Sequence, residues 1–483
     1  MFVFADSPQG SRDDDSSDAS EGKAFLLHTA NVKEANDPAA RAVDDPSQLL
    51  ERAASVTNLA RALLNVARNK GAAGVDGRSV EEIVADAPRL LSKLRRALIS
   101  GAYRPGDIRR VWIPKPGGGQ RGLGIPNVVD RVVQQALLQV LEPLFEPTFH
   151  DSSHGFRPRR GARTAIAEAK KHLAGGYVWT VDVDLSKFFD RVNHQRLLNR
   201  LSQQVKDGRI LKLVHRMLKA QVVLPDGTRT ATDEGTPQGG PLSPLLSNIV
   251  LDELDWELER RGLRFVRYAD DFSVFVKSER AGRRVMDTLR RFIAGRLRLL
   301  VNDDKSSVTG PIDLIFLGFH LSAGEGGSIA ASISRRTKER MDIRIRELTP
   351  RNWGQSLSTC FEGLNCYLRG WLGYFRLCTE DRLTPLHKFD AHIRRRIRAI
   401  IIRQKKRPRH LYRHLLAREV SPKAAAQAAY QRTGTWRRSV SAGIHKAYPN
   451  AWFAGRLLLL KDQWYALNPQ ERVSAKQQRL FER

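Results

Sequence analysis

Apolar positions repeat at helical spacing from Leu49 through Ala53, Leu59, Leu63 and Val66. They predict helices that pause at the loop Gly71–Gly77 and resume to about Ser100. The period then changes. Arg109 to Ile113 and Gln120 to Pro126 flank a Pro-Gly-Gly-Gly run and read as a hairpin. A helix follows over Val129–Phe145 by its apolar repeat. From Gly176 to Leu185 the pattern alternates. Tyr177, Trp179, Val181 and Val183 fall on one face of a strand, and Val178, Thr180, Asp182 and Asp184 on the other. Two more apolar runs, Arg264–Arg267 and Phe272–Val276, bracket Tyr268-Ala269-Asp270-Asp271. They predict two short strands joined by a tight turn that carries both carboxylates. Gly235–Pro241 is too rich in Gly and Pro for regular structure. Ser243-Pro244 reads as the N-cap and first residue of a helix carrying Leu245, Leu246, Ile249, Val250, Leu254 and Leu258. Further on, Phe389, Ile393, Ile397 and Ile400 recur at helical spacing, which leaves Arg394, Arg395, Arg396 and Arg398 to cover the remaining surface. Residues 1–45 are polar and acidic with little periodicity and read as a disordered tail.

The acids in this pattern suggest chemistry. Two uncompensated carboxylates at the mouth of a buried hairpin are costly to desolvate, and a bound cation is the usual remedy. The strand ending at Asp184 can face the Asp270-Asp271 turn. Carboxylates from two strands can hold two Mg²⁺ ions about 3.5–4 Å apart for in-line phosphoryl transfer. Oxygen ligands suit Mg²⁺, which keeps substrate phosphates in its shell. Asp184, Asp270 and Asp271 are therefore the expected metal ligands and catalytic residues, with Asp182 the alternative on the first strand. Lys115 and Arg121 stand on opposite arms of the glycine-rich hairpin tip. They can close over a triphosphate as point charge and fork, or form a solvated basic hairpin. The Gly/Pro loop before Ser243 lets backbone amides and Gln238 approach a template base or nascent base pair. His154, in the loop Ser153–Pro158, has no acid close in sequence and reads as structural.

Charge is unevenly distributed along the 483 residues. The net is +29, but residues 1–50 carry 4 Lys/Arg against 10 Asp/Glu, while residues 334–483 carry 33 against 11. A surplus of this size implies a polyanion partner docking on the C-terminal third. Arg394, Arg395, Arg396, Arg398, Lys405, Lys406 and Arg407 are the candidates, and arginines mixed with aromatics suit RNA backbone contact with stacking. Trp371 and Tyr374 read as core. The three cysteines fit no zinc spacing and read as reduced core thiols. No apolar run reaches membrane-spanning length, and Met1-Phe2-Val3-Phe4 is not a signal peptide. The expectation is a cytoplasmic, nucleoid-associated protein with no membrane partner.

Three motifs occur in order: Asp-Leu-Ser-Lys-Phe-Phe-Asp (184–190), Gly-Thr-Pro-Gln-Gly-Gly-Pro-Leu-Ser-Pro (235–244) and Tyr-Ala-Asp-Asp (268–271). With them the chain resembles the reverse transcriptases encoded by group II introns, from about Leu49 to near the C-terminus. The resemblance implies an α/β right-hand polymerase: fingers and a palm with an antiparallel sheet, then an α-helical thumb or maturase domain and a small basic C-terminal region. It implies that the 109–126 hairpin contacts the incoming nucleotide through Lys115 and Arg121. It also implies that Phe189 lies under the nucleotide sugar and disfavours a ribose 2′-hydroxyl, and that Lys305 lies near the triphosphate. Phe316–Phe319 resembles the primer-grip hairpin. Gly434–Arg438, with Trp436, Arg437 and Arg438, resembles the DNA-binding tail. The absence of cysteine pairs resembles the subclass without a His-Asn-His endonuclease.

The expected division is a tail at 1–45, fingers and palm at 46–329, thumb at 330–414 and a DNA-binding tail at 415–483. The implied activity is RNA-directed DNA synthesis with two Mg²⁺. The implied partners are intron RNA, an RNA template with a DNA primer, target DNA and dNTPs. Two alternatives stand beside it: a free-standing relative serving DNA repair or phage defence, and a non-catalytic RNA-binding splicing cofactor.

Overall fold

The runs on either side of the Asp270-Asp271 pair form the expected hairpin, and the sheet around it organises the first half of the chain. The computed structural model describes residues 16–31, 48–114, 118–350, 352–379 and 383–469. In chain order the strands are β1 Ile108–Pro114, β2 Gln120–Ile125, β3 Trp179–Asp184, β4 Val222–Val223, β5 Arg229–Thr230, β6 Arg264–Tyr268, β7 Asp271–Val276, β8 Ser307–Thr309, β9 Asp313–Phe316, β10 Phe319–Ala323 and β11 Ile329–Ile333. They form three sheets, ordered β2-β1-β4-β5, β6-β7-β3-β8 and β11-β10-β9. Two compact units result. One holds the chain up to Glu168 together with Val181–Val308; the other holds Ala169–Thr180 together with the chain from Thr309 onward.

In the first unit, β6 and β7 pair antiparallel with Tyr268 opposite Asp271. Ala269 and Asp270 are therefore the whole turn. Phe265, Val266, Phe272, Val274 and Phe275 are buried on this hairpin. The helix Ser243–Arg260 buries Leu245, Leu246, Ile249, Leu251, Leu254 and Leu258. Its start differs from expectation. Ser243 is the first helical residue, Leu242 is the N-cap, and the Ser243 hydroxyl donates to the Pro237 carbonyl at 2.7 Å. The serine thus fastens the Gly/Pro loop rather than capping the helix.

The disordered tail expected over 1–45 is corrected in its described part. Ser16–Asn31 is a helix whose Leu26 and Ala30 are buried, and whose Ala30 carbonyl accepts from Arg61 Nε at 3.1 Å. A Cβ on Gly22 would stand 2.1 Å from the Val84 carbonyl oxygen. A few apolar residues packed on the helices Val56–Arg68 and Val80–Ala85 suffice here, where acidic composition suggested none. The rest of that segment lies outside the described residues.

The second unit is largely helical: Arg335–Leu348, Leu357–Phe375, Thr384–Gln404, Pro408–Leu416, Pro422–Tyr430 and several shorter helices. Trp371 lies against Phe375 and Phe389, and the Tyr374 hydroxyl donates to the Leu317 carbonyl at 3.1 Å, so both aromatics pack within the unit, half-buried at the edge of its core. The boundary expected at 414/415 falls inside the helix Pro408–Leu416. Ties across it explain why no break occurs: Asp390 accepts from the Leu460 and Lys461 amides, and the Trp464 indole donates to the Arg376 carbonyl.

The four central arginines are corrected with it. Arg398 is 3% exposed and Arg394 8%. Arg398 donates twice to the Tyr448 carbonyl, at 3.0 and 2.8 Å. Burial, then Arg394, pushes its guanidinium down to about 10. Arg396 donates to Thr349 and to the Arg346 carbonyl. Arg395 donates to the Trp436 carbonyl and lies 4.0 Å over its ring. Arg395, Arg396 and Arg398 staple segments distant in sequence and Arg394 is buried, so the four are not the free cationic face the helical pattern suggested.

Candidate active site

Alternation brings Asp182 and Asp184 to one side of β3, and β3 lies directly beside β7 in the sheet. The Asp182 carboxylate accepts from the Ser273 hydroxyl of β7 at 2.7 Å. That bond fixes the register in which Asp182 and Asp184 face the Asp270-Asp271 turn. Asp184 is held from the other side. Its Oδ2 accepts from Asn302 Nδ2 at 3.0 Å and lies 3.5 Å from Lys305 Nζ, while its backbone amide donates to Ser306 Oγ and its carbonyl accepts from the Asn302 amide. Lys305 is therefore an ion-pair partner of Asp184.

Electrostatics mark these acids as one group. Burial, offset by the Ser273 hydrogen bond and reinforced by Asp184, raises Asp182 to about 6. Asp271 retains exposed surface, yet protein crowds its carboxyl. That crowding, then Asp182, Asp270 and Asp184, pushes it well above the usual carboxylate range. Asp270 is raised chiefly by burial, with Arg121 pulling the other way. Arg121 on β2 thus projects its charge onto the turn. Lys115 lies outside the described residues.

The carboxylates repel one another and do not converge on a point. Among the described residues, no three His, Cys, Asp or Glu side chains stand in ligating geometry. The chemistry of the donor set nevertheless fits a divalent cation. It is all hard oxygen, and its mutual repulsion is what such an ion relieves. A cavity of 680 Å³ lined by Phe149, Asp252, Trp256 and Arg296 includes none of these acids.

The turn rests on a buried polar platform that the sequence reading missed. Arg267, fully buried, donates through Nε to Asp255 Oδ1 at 2.7 Å, and through Nη1 to Asn248 Oδ1 at 2.9 Å and the Ala269 carbonyl at 3.0 Å. Asp255 is also fully buried. The Asn248 amide donates to the Gly155 carbonyl at 2.9 Å. Gly155 must be glycine for a visible reason: a Cβ would stand 2.3 Å from the Ala269 amide nitrogen. His154 is structural as expected, but it has an acid after all. Its ring contacts Thr164 Oγ1 at 2.9 Å and Glu168 Oε2 at 2.7 Å. One signal was available: Asn248, Asp252 and Asp255 interrupt the apolar stripe of a helix that is otherwise core.

The Gly/Pro loop closes the other side. The Thr236 amide donates to the Phe189 carbonyl at 2.6 Å, and the Gly124 amide of β2 donates to the Gln238 carbonyl at 2.9 Å. Gly239 sits at φ +137°, and a Cβ there would stand 2.6 Å from the Gly124 carbonyl oxygen. Phe189, half-buried, meets Phe188 edge-on with centroids 5.2 Å apart. The segments that carry Phe189, Gln238 and Arg121 are thereby joined through backbone contacts.

Palm sheet, paired carboxylate strands and a following helical unit define a right-hand nucleic-acid polymerase. Residues 113–321 match the reverse transcriptase (RNA-dependent DNA polymerase) family, and residues 338–418 match the group II intron maturase-specific domain. Protein YkfC of Escherichia coli K12 is 35% identical over 325 residues, covering 58% of this chain and 85% of that protein. The group II intron-encoded protein LtrA of Lactococcus lactis is 30% identical over 348 residues, 56% of each chain. The putative COX1/OXI3 intron 2 protein of Saccharomyces cerevisiae is 35% identical over 172 residues, 35% of this chain and 20% of that protein. The chain belongs to the family of group II intron-encoded reverse transcriptases and maturases. It spans about half the length of LtrA. No helix among the described residues is long and apolar enough to cross a membrane.

Proposed function

We propose that this chain extends a DNA primer on an RNA template and binds its intron RNA during splicing and retrohoming. The observation that carries the reading is the facing of Asp182 and Asp184 on β3 with the Asp270-Asp271 turn, in one sheet. Asp184, Asp270 and Asp271 would hold Mg²⁺, two ions in all. Bound Mg²⁺ supplies activation of the primer 3′-hydroxyl and stabilises charge on the transferring phosphate. The protein's own work is positioning. The Ser273 hydroxyl and the Asn302 amide orient Asp182 and Asp184. Arg121, with Lys115 at the hairpin tip, offers cations to the triphosphate, and Lys305, ion-paired with Asp184 at 3.5 Å, would protonate the leaving pyrophosphate. Gln238 meets the nascent pair. The substrates would be dNTPs, template RNA and target DNA, which puts the work at the nucleoid. Purified chain given a primed RNA template, dNTPs and Mg²⁺ is expected to make cDNA. RNA binding with no extension would instead favour a non-catalytic splicing cofactor.

Phe189→Ala is expected to lower discrimination against ribonucleotides by about tenfold or more, because about 1.4 kcal/mol of lost steric exclusion gives that factor. Comparing a dNTP with its matching rNTP measures it, and an unchanged ratio would make Phe189 packing for Phe188.

Polyanion binding falls to the cations that remain free of structural duty. Lys406 and Arg407 are exposed and Lys405 is half-buried, at the end of the helix Thr384–Gln404. Arg437 is exposed beside Trp436, which is itself 40% exposed. Arg438, by contrast, is half-buried and donates to the Ala429 carbonyl at 3.4 Å, so it is partly structural. Changing Lys405, Lys406 and Arg407 to Gln is expected to flatten the log–log salt dependence of RNA binding by about 0.7 to 0.9 per lost phosphate contact. Arg398→Met is expected to lower the melting temperature and leave that slope unchanged. The opposite pattern would return RNA contact to the buried arginines.

A further inference from the structure

Phe156 is an exposed side chain between buried, clamped neighbours. His154 before it is 3% exposed and Arg157 after it 8%. Gly155 is locked by Asn248 and by its approach to Ala269. Arg157 donates to both Glu146 carboxylate oxygens, to the His150 carbonyl and to the Ser153 carbonyl. Held on both sides, Phe156 adopts φ +58°, a left-handed conformation that Cβ-bearing residues avoid. Its ring gains little burial in exchange: the residue is 44% exposed. The ring centroid lies 6.5 Å from that of Tyr268, the residue paired with Asp271. Backbone strain persists where the surroundings over-determine it, and it clusters where it serves a site. An exposed aromatic held under strain beside the carboxylate turn is spent on something other than the core.

We propose that Phe156 and Tyr268 form an aromatic shelf at the edge of the carboxylate turn, on which the terminal nucleotide of the primer rests. The ligand chemistry is a nucleobase or sugar face, since aromatic rings hold nucleotides by stacking regardless of sequence. This rests on the polymerase reading and assigns Phe156 a positioning role: it holds the 3′-terminal nucleotide so that its hydroxyl faces Asp184, Asp270 and Asp271. The strain is the cost of aiming the ring outward between Gly155 and Arg157, which are both buried.

The test uses the full chain as wild type and as Phe156→Gly, Phe156→Ala and Phe156→Tyr. Glycine suits φ +58°, so Phe156→Gly is expected to melt at or above the wild-type temperature. It is nonetheless expected to bind primer–template about tenfold more weakly in extension assays, the scale of one lost base–aromatic stack, with the KM for dNTP changed less than twofold. Phe156→Ala should show the same binding loss, and Phe156→Tyr should restore wild-type behaviour. The proposal is overturned if Phe156→Gly extends primers with wild-type affinity. It is equally overturned if Phe156→Gly and Phe156→Ala melt well below wild type and their extension falls only in step with folded fraction. If wild-type protein itself fails to extend any primer, the polymerase reading fails instead.

Discussion

Asp270→Asn and Asp271→Asn each reduce RNA-templated primer extension by at least about a thousandfold, while RNA binding stays close to wild type. A carboxylate ligand contributes several kcal/mol of transition-state charge stabilisation through its metal, and about 4 kcal/mol corresponds to a factor of a thousand. Asparagine keeps the shape and one oxygen but loses the charge. RNA binding is expected to survive because the cations proposed to contact RNA, Lys405, Lys406 and Arg407, are untouched by either substitution. A second outcome separates a metal site from a structural one. Asp271 and Asp270 have raised pKa values in the folded protein, so folding takes up protons. Their ionisation costs stability as pH rises from the ordinary carboxylate range through their raised values, and the cost is complete above them. Asparagine carries no such cost. In metal-free buffer at neutral pH both variants should melt at or above the wild-type temperature, and the difference should shrink as pH falls. Inactive variants that also melt far below wild type would mark the pair as structural.

Arg267→Met is expected to destabilise the protein by about 3–5 kcal/mol, because it leaves Asp255 buried, charged and unpaired. Both side chains of this pair are fully buried. The damage should reach function, since Arg267 also donates to the carbonyl of Ala269, which sits at φ +60° in the carboxylate turn. Adding Asp255→Asn to Arg267→Met removes the orphaned charge. The double variant should recover part of the lost stability, measured by urea unfolding, without recovering extension, since the turn still lacks its donor. A single variant within about 1 kcal/mol of wild type, or a double variant with full activity, would show that the platform does not hold the turn.

The carboxylate hairpin was legible because its information is local. Apolar alternation, a two-residue turn and adjacent acids occupy one short stretch, and β6, β7 and β3 followed. The platform was not legible because Arg267, Asn248 and Gly155 are far apart in sequence and meet only through the fold. The arginines at 394–398 failed for a related reason. An Arg/Ile alternation on a helix says which face is apolar, but not that the Tyr448 carbonyl or Thr349 waits about 50 residues away to receive the guanidinium. Long side chains bury their stems and heads against partners that periodicity cannot name. The Ser16–Asn31 helix was hidden by composition, because a few apolar residues outweigh an acidic background once a surface exists to receive them.

A divalent-cation site formed by Asp184, Asp270 and Asp271 and serving primer extension should bind Mn²⁺ as well as Mg²⁺. Mn²⁺ binding, followed by electron paramagnetic resonance on the wild-type chain with primed RNA template and dNTP, tests it most directly when the same preparations are assayed for extension. Saturable Mn²⁺ binding that tracks extension across a metal titration is expected, with loss of both in Asp184→Asn, Asp270→Asn and Asp271→Asn. Undiminished Mn²⁺ binding in the three variants, or extension that persists in excess chelator, would contradict it.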